Sequence, residues 1–215
     1  MNRAGVWIIG GGAFGRRGVE ILSRRGRPGD LLVVDVDSAA LAGLEPGVAS
    51  VLGDGVEFLV KNLSPGRGPG WIVPCLPLHL AFEWLKARLG PAAEAVPAPA
   101  VPAGRLPPPR PAGQGGHLLS YADFICPPDC PEPAEVCTYT GRPRRGDLYA
   151  DLAAALWPGF DIVVVRSRQL APGLGGYRPA DLFGLEQKAR AADSPLLVAT
   201  ACRCHGVLHA LRMKK

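Results

Sequence analysis

The sequence contains no apolar run long enough to cross a bilayer; its longest runs are strand-sized and broken by glycine or proline. No export signal is expected from the N-terminal run "VWII", which breaks into glycines before reaching the length of an export core. The expectation is therefore a cytoplasmic chain with no membrane span. Aromatics make up 7% of residues and none is interleaved with the basic stretch "GRPRRG" at 141–146, so nucleic acid is not an expected partner. The net charge of +5 is spread out: residues 1–95 carry 10 basic and 9 acidic side chains, and residues 96–215 carry 14 and 10. Only "GRPRRG" at 141–146 is locally basic, and Arg142, Arg144 and Arg145 read as a solvated turn, with phosphate or an acidic partner as the alternative. What remains is globular in composition, with 47% hydrophobic and 20% charged residues over 215 positions. That length is enough to bury a core as one large or two small domains.

The first ninety residues alternate strand-like and helix-like runs. "AGVWIIGGGAFGRRGVEIL" reads as a buried strand, a glycine turn and a helix from about Ala13. Gly10, Gly12 and Gly15 form G-x-G-x-x-G, which permits a tight turn, close approach of a pyrophosphate and close helix packing. The helix N-terminus adds unpaired N–H groups that favour phosphate. A second strand, "DLLVVDVD", ends in Asp35, twenty residues after Gly15. A carboxylate there suits ribose hydroxyls and repels a 2′-phosphate, so NAD is expected over NADP. A short helix capped by Ser38, a third strand ending in "GDG", another helix, and a fourth strand from Trp71 to Cys75 leading into an amphipathic helix continue the pattern.

Together "GGGAFG", "VVDVD" and "GDG" resemble the NAD-binding domain of the Trk-type (RCK) potassium-uptake regulators. The fourth strand with its Pro-x-x-His turn is also similar to glucose–fructose-oxidoreductase-like dehydrogenases. The resemblance covers residues 1–90 and specifies a fold and a nucleotide more than an activity. It implies that Gly10, Gly12, Phe14, Gly15, Asp35 and Asp37 line the adenosine half, with Asp54 nearby. Pro77 and His79 would approach the nicotinamide. His79 is a candidate general acid there, against the plainer reading of a cap or packed side chain.

Residues 91–116, with eight prolines in the stretch 90–116, read as an extended and mobile linker. Residues 117–215 form a second α/β half, with strand-like runs at 117–125, 160–167 and 195–201 and helix-like stretches at about 146–157 and 179–193. The expected fold is thus α/β: a Rossmann-like parallel sheet followed by an α/β half bearing a cysteine-rich metal site.

Five of the six cysteines fall in that half: Cys126, Cys130, Cys137, Cys202 and Cys204, the last followed by His205. A cytoplasmic chain keeps thiols reduced, which argues against disulfides. If the strands run in one direction, these thiols gather at one carboxyl edge, where open α/β sheets place ligands. The charged, proline-rich "CPPDCPEPAEVC" does not suit a core. Metal is the leading reading, as an iron–sulfur cluster or zinc, with a Cys202–Cys204 dithiol and inert thiols as alternatives. The functional expectation is an NAD(H)-binding, redox-related protein, an NAD-dependent oxidoreductase if it is an enzyme. The rival is a non-catalytic nucleotide and metal sensor, and no Tyr-x3-Lys hydride-transfer pair is present. Expected partners are the nucleotide and a redox partner or regulated protein, with pairing into a homodimer as in related nucleotide domains.

Overall fold

The computed structural model describes residues 5–26 and 28–214. Four short apolar runs form a parallel sheet: β1 (Val6–Ile9), β2 (Leu31–Asp35), β3 (Ala49–Leu52) and β4 (Trp71–Pro74), in the order β3-β2-β1-β4. Parallel strands need crossovers, and these are α1 (Ala13–Arg25), α2 (Ser38–Leu41) and α3 (Gly55–Asn62). Gly15 fixes how α1 leaves the turn, since a Cβ there would lie 1.9 Å from the carbonyl oxygen of Gly10. The cap of α2 is Asp37 rather than the expected Ser38: its carboxylate accepts from the Ala39 N–H at 2.8 Å. Asp54 caps α3 in the same way, accepting from Val56 and Glu57.

The next helix, α4 (Leu80–Leu89), is not amphipathic as expected. Leu80, Ala81, Phe82, Trp84, Leu85 and Leu89 are all buried, because α4 is packed on several sides, by α3, the C-terminal helix and the second sheet. The second sheet holds β5 (Ala93–Val96), β6 (Arg110–Pro111), β7 (His117–Ser120), β8 (Asp161–Arg166), β11 (Leu196–Ala201) and β12 (His205–Met213). Its order is β6-β7-β12-β11-β8, with β5 also on β12. Between β8 and β11 lie a hairpin, β9 (Arg168–Ala171) and β10 (Leu174–Gly176), and α6 (Pro179–Ala191); α5 (Leu148–Ala154) precedes β8.

Direction within this sheet decides where its loops emerge. β8 and β11 are parallel, and β12 is antiparallel to both β11 and β7. Hence β7, β8 and β11 all point one way, and the segments following them leave from the same edge.

The stretch 91–116 is not the separate linker the sequence suggested. β5 pairs with β12, β6 pairs with β7, and Ala98, Val101 and Leu106 pack against the core around Leu148 and Trp157. Proline fixes an extended backbone without an N–H, which suits a segment laid along a sheet where no ladder donor is required. The largest core cluster runs from Ile9 and Ile72 through Trp84 and Tyr177 to Leu185 and Val198, so the two sheets share one interior through α4 and α6. Among the described residues no helix is long and apolar enough to cross a membrane.

Candidate metal and nucleotide site

At the carboxyl edge of the first sheet, Gly10 adopts φ 109° and donates to the Val34 carbonyl at 2.8 Å. The Asp35 carboxylate closes the turn: Oδ2 accepts from the Gly11 N–H at 2.6 Å and Oδ1 from the Asp37 N–H at 2.8 Å. Gly10, Gly12, Gly15 and Asp35 therefore sit together as the motif requires, while Asp37 and Asp54 spend their carboxylates capping helices at the same edge. Phe14, the second residue of α1, is 72% exposed. It borders a cavity of about 370 Å³ together with Arg17, Cys75, Pro77 and Leu174. Burial pushes the Cys75 thiol up to about 12, so it stays protonated and apart from the other five.

His79 is not at this edge. It is buried, with Nδ1 3.1 Å from Nδ1 of His209 and Nε2 2.9 Å from the Thr200 hydroxyl. Burial first, and the neighbouring His209 second, hold it down to about 3, so it is a neutral packed side chain rather than an acid facing a nicotinamide.

The cysteines come from two segments of the second half that leave the same edge. Cys202 to His205 form the tight turn between β11 and β12, with the Cys202 N–H donating to the His205 carbonyl at 2.9 Å. Cys126, Cys130 and Cys137 lie on the long loop after β7. That loop is pinned to the turn by Glu132, whose carboxylate accepts from the Arg203 N–H at 2.5 Å. Cys126, Cys130, Cys137 and Cys204 line one cavity of about 150 Å³ with Arg144. Arg144, expected on a solvated turn, instead donates from Nη1 to the Cys204 sulfur at 2.9 Å. The sulfur of Cys126 lies 3.3 Å from Nε2 of His205. Burial and the three neighbouring cysteines raise Cys126 to about 11, with Arg144 acting in opposition. Cys137 is lowered, chiefly by a hydrogen bond from the Thr140 hydroxyl.

Cys202 stands slightly aside. Its sulfur accepts from the N–H groups of Cys204 and His205, each at 3.4 Å, and burial next to Glu132 pushes it up to about 12. It borders a neighbouring cavity of about 320 Å³ that also touches Cys126, Cys204, His205 and Gln169. That cavity shares Phe14, Gly173, Leu174 and Gly175 with the one beside the glycine turn, so the β9–β10 hairpin and Phe14 form the common wall between the glycine turn and the thiols. Among the described residues no three His, Cys, Asp or Glu side chains close to the spacing of a single ion.

Two comparisons place the chain among known proteins. A family model described as the C-terminal domain of an uncharacterized protein matches residues 81–214. An uncharacterized protein of Archaeoglobus fulgidus is 33% identical over 227 aligned residues, covering 95% of this chain and 98% of the relative. The chain belongs to this family. No solved structure matches it.

The family's C-terminal domain begins one residue into α4, so α4 and the proline-rich stretch belong with the cysteine-bearing unit instead of dividing the chain at 90 and 117. Within that unit the sequence points to a solvated turn for Arg144 and gives no sign of the β9–β10 hairpin. The clustered glycines of "LAPGLGGY" mark close backbone approach, but nothing local says to what. For Arg144, "GRPRRGD" holds three arginines of equal appearance, and only the fold selects one.

Proposed function

We propose that this is an NAD(H)-binding protein carrying a cysteine-ligated metal centre, iron–sulfur or zinc, that serves redox chemistry in the cytoplasm. The observation that carries this reading is the convergence of Cys126, Cys130 and Cys137 with Cys204, far apart in the chain, around one cavity. The donor types suit a thiophilic metal, while no three of the described side chains stand at the spacing of a single ion. Four thiols unshielded by disulfides are available, and the Arg144 guanidinium among them needs nearby negative charge, which metal-bound thiolates supply. When bound, such a metal would contribute electron relay as a cluster or Lewis acidity as zinc.

The chain's own residues divide the remaining work. Gly10, Gly12 and the first turn of α1 present backbone to a pyrophosphate, while Asp35 offers a carboxylate to a ribose and disfavours a 2′-phosphate. Phe14 and Pro77 wall the cavity between the glycine turn and the hairpin, the side on which a nicotinamide would lie. Cys126, Cys130, Cys137 and Cys204 would hold the metal in the cavity they line together. The resemblance to the Trk-type regulators and to glucose–fructose-oxidoreductase-like dehydrogenases lies in residues 1–90 alone and does not extend to these cysteines.

A second reading, a non-catalytic nucleotide and metal sensor, draws on the fate of His79. With that imidazole locked in the core, no proton donor of the expected kind faces the cavity at Pro77.

Purification without oxygen, metal analysis and titration with NADH test the proposal. Bound iron with sulfide, or stoichiometric zinc, together with saturable NADH binding is expected. A protein that takes up neither metal on reconstitution and leaves NADH fluorescence unchanged would overturn it. Turnover of NADH with an artificial electron acceptor then favours the redox reading over the sensor.

A further inference from the structure

Resting on the metal reading above, we infer that the resident group is a polynuclear iron–sulfur cluster and that Arg144 is its charge-balancing hydrogen-bond donor. The argument starts from how the backbone places this side chain. Cys137 and Arg144 stand at opposite ends of a small hairpin, with the Cys137 N–H donating to the Arg142 carbonyl at 2.9 Å and the Gly141 N–H to the Cys137 carbonyl at 2.8 Å. The Arg144 N–H donates to the Glu135 carbonyl at 2.8 Å, which fixes the direction in which the guanidinium leaves the loop.

That guanidinium is only partly satisfied. Nη1 meets the Cys204 sulfur, but Nε and Nη2 are buried with no acceptor. Other arginines of the chain end on carboxylates: Arg88 on Glu186, Arg105 on Asp151, Arg168 on Asp181 and Arg203 on Asp147. Arg144 ends among thiols instead. A buried guanidinium with idle donors is strongly disfavoured unless an anion with several acceptor atoms shares its cavity.

The arrangement of the sulfurs narrows what that anion is. A zinc tetrathiolate draws its four sulfurs to about 2.3 Å from one point, and the thiolates themselves are then the acceptors it offers. Here the four thiols stand around a cavity of about 150 Å³ that Arg144 also lines. A cluster fills such a space and brings inorganic sulfides, which accept N–H bonds at positions a lone ion leaves empty. Two of the thiols, Cys126 and Cys130, are each followed by a proline that has no N–H to offer. A side chain has to supply donors on that flank, and Arg144 carries two to spare. Hydrogen bonds and positive charge at the sulfurs favour the reduced, more negative state of a cluster.

The test is competitive reconstitution of the full chain, without oxygen, with ferrous iron plus sulfide against zinc. It is followed by redox titration with dithionite as the electron donor and by removal of iron with a chelator. The expected result is iron and sulfide bound in preference to zinc, with a visible chromophore and a paramagnetic reduced state. R144Q should retain the chromophore, titrate at a lower potential and lose iron roughly tenfold faster or more. R144K should restore most of the potential, because the charge returns, but not the resistance to chelator, because the forked donors do not. Preferential zinc uptake by the unaltered chain overturns the cluster assignment. An unchanged potential and unchanged iron loss in R144Q overturn the role of Arg144; if R144Q does not fold, unchanged iron loss in R144K does so. Uptake of neither metal overturns the metal reading itself, which is a different failure.

Discussion

The carbonyl oxygen of Pro128 lies where a side chain on Gly173 would have to be, 1.6 Å from the position of a Cβ. Gly173 also adopts φ 72° and donates its N–H to the Cys130 carbonyl at 2.9 Å, an oxygen that accepts from the Gln169 side chain as well. The hairpin that presses on the cysteine loop is tied to the first sheet just beyond β10. There Tyr177 exchanges backbone hydrogen bonds with Ile72 at 2.9 and 3.0 Å. One short hairpin thus holds the thiol loop against the first sheet.

Gly173→Ala should therefore be felt at the proposed metal site. Both the left-handed backbone and the contact with Pro128 oppose a Cβ, and a loss of about 2 kcal/mol or more is expected. The cysteine loop is the more yielding partner, so metal content should fall while the circular dichroism of the sheets persists. Full metal loading and unaltered denaturation in this variant would show that the hairpin does not position the loop.

Much of this architecture is legible in the sequence, and the exceptions have physical causes. β1, β2 and β4 are apolar runs with buried centres, and β3 is a short, largely exposed edge strand; all four lie between glycines and acidic caps, so period and punctuation agree. β12 was not anticipated because "HGVLHALRM" mixes histidine and arginine with apolar residues, and its strand character comes from pairing with β11, β7 and β5. β5 lay hidden in proline-rich sequence. The gathering of the cysteines required only that β7, β8 and β11 share a direction. Which sulfurs meet required the turn at Cys202 to His205, where Cys204 reaches the cavity lined by Cys126, Cys130 and Cys137 while Cys202 reaches only the neighbouring one.

That separation makes the cysteines individually testable. Serine at Cys126, Cys130, Cys137 or Cys204 should each abolish or severely reduce bound metal, since each removes a thiol from the shared cavity. Cys202→Ser should retain it, because a hydroxyl still accepts from the N–H groups of Cys204 and His205. Cys75→Ser should be neutral for metal. Metal analysis of the six variants, purified alike, would contradict this grouping if Cys202→Ser were as empty as Cys204→Ser.

Asp35 offers a probe of the other half. Its carboxylate is the acceptor for the buried Gly11 N–H at 2.6 Å, and removing it leaves that donor unpaired. Asp35→Ala should lose about 2 kcal/mol of stability, the usual size for a charged hydrogen bond to a buried group. NADH affinity should fall with it, since the same oxygens are offered to a ribose. Asp35→Asn should keep part of the stability but not the preference for NADH over NADPH. Equal titration curves for the unaltered chain and Asp35→Ala would exclude a dinucleotide from this edge.

The buried histidines predict how stability depends on pH. One set of protons satisfies these contacts: Thr200 donates to Nε2 of His79, and Nδ1–H of His79 donates to Nδ1 of His209. Both rings are then neutral, and burial opposes a further proton at either one. His79 is held at about 3 against 6.5 when exposed, and His209 is lowered as well, mainly by burial, although the Gly113 carbonyl and Glu83 pull it upward while Lys86 and His117 push it down. Between these limits the unfolded chain binds a proton that the folded chain refuses. Stability is therefore complete above about pH 6.5 and falls as the pH drops toward 3. From pH 7 to pH 5, His79 alone should remove about 2 kcal/mol, which lowers the unfolding midpoint by about 4–8 °C in a chain of this size. Glutamine at position 79 keeps one donor and one acceptor but does not titrate, so thermal melts of His79→Gln should be flatter over this range. An undiminished slope in that variant would mean the acid sensitivity arises elsewhere.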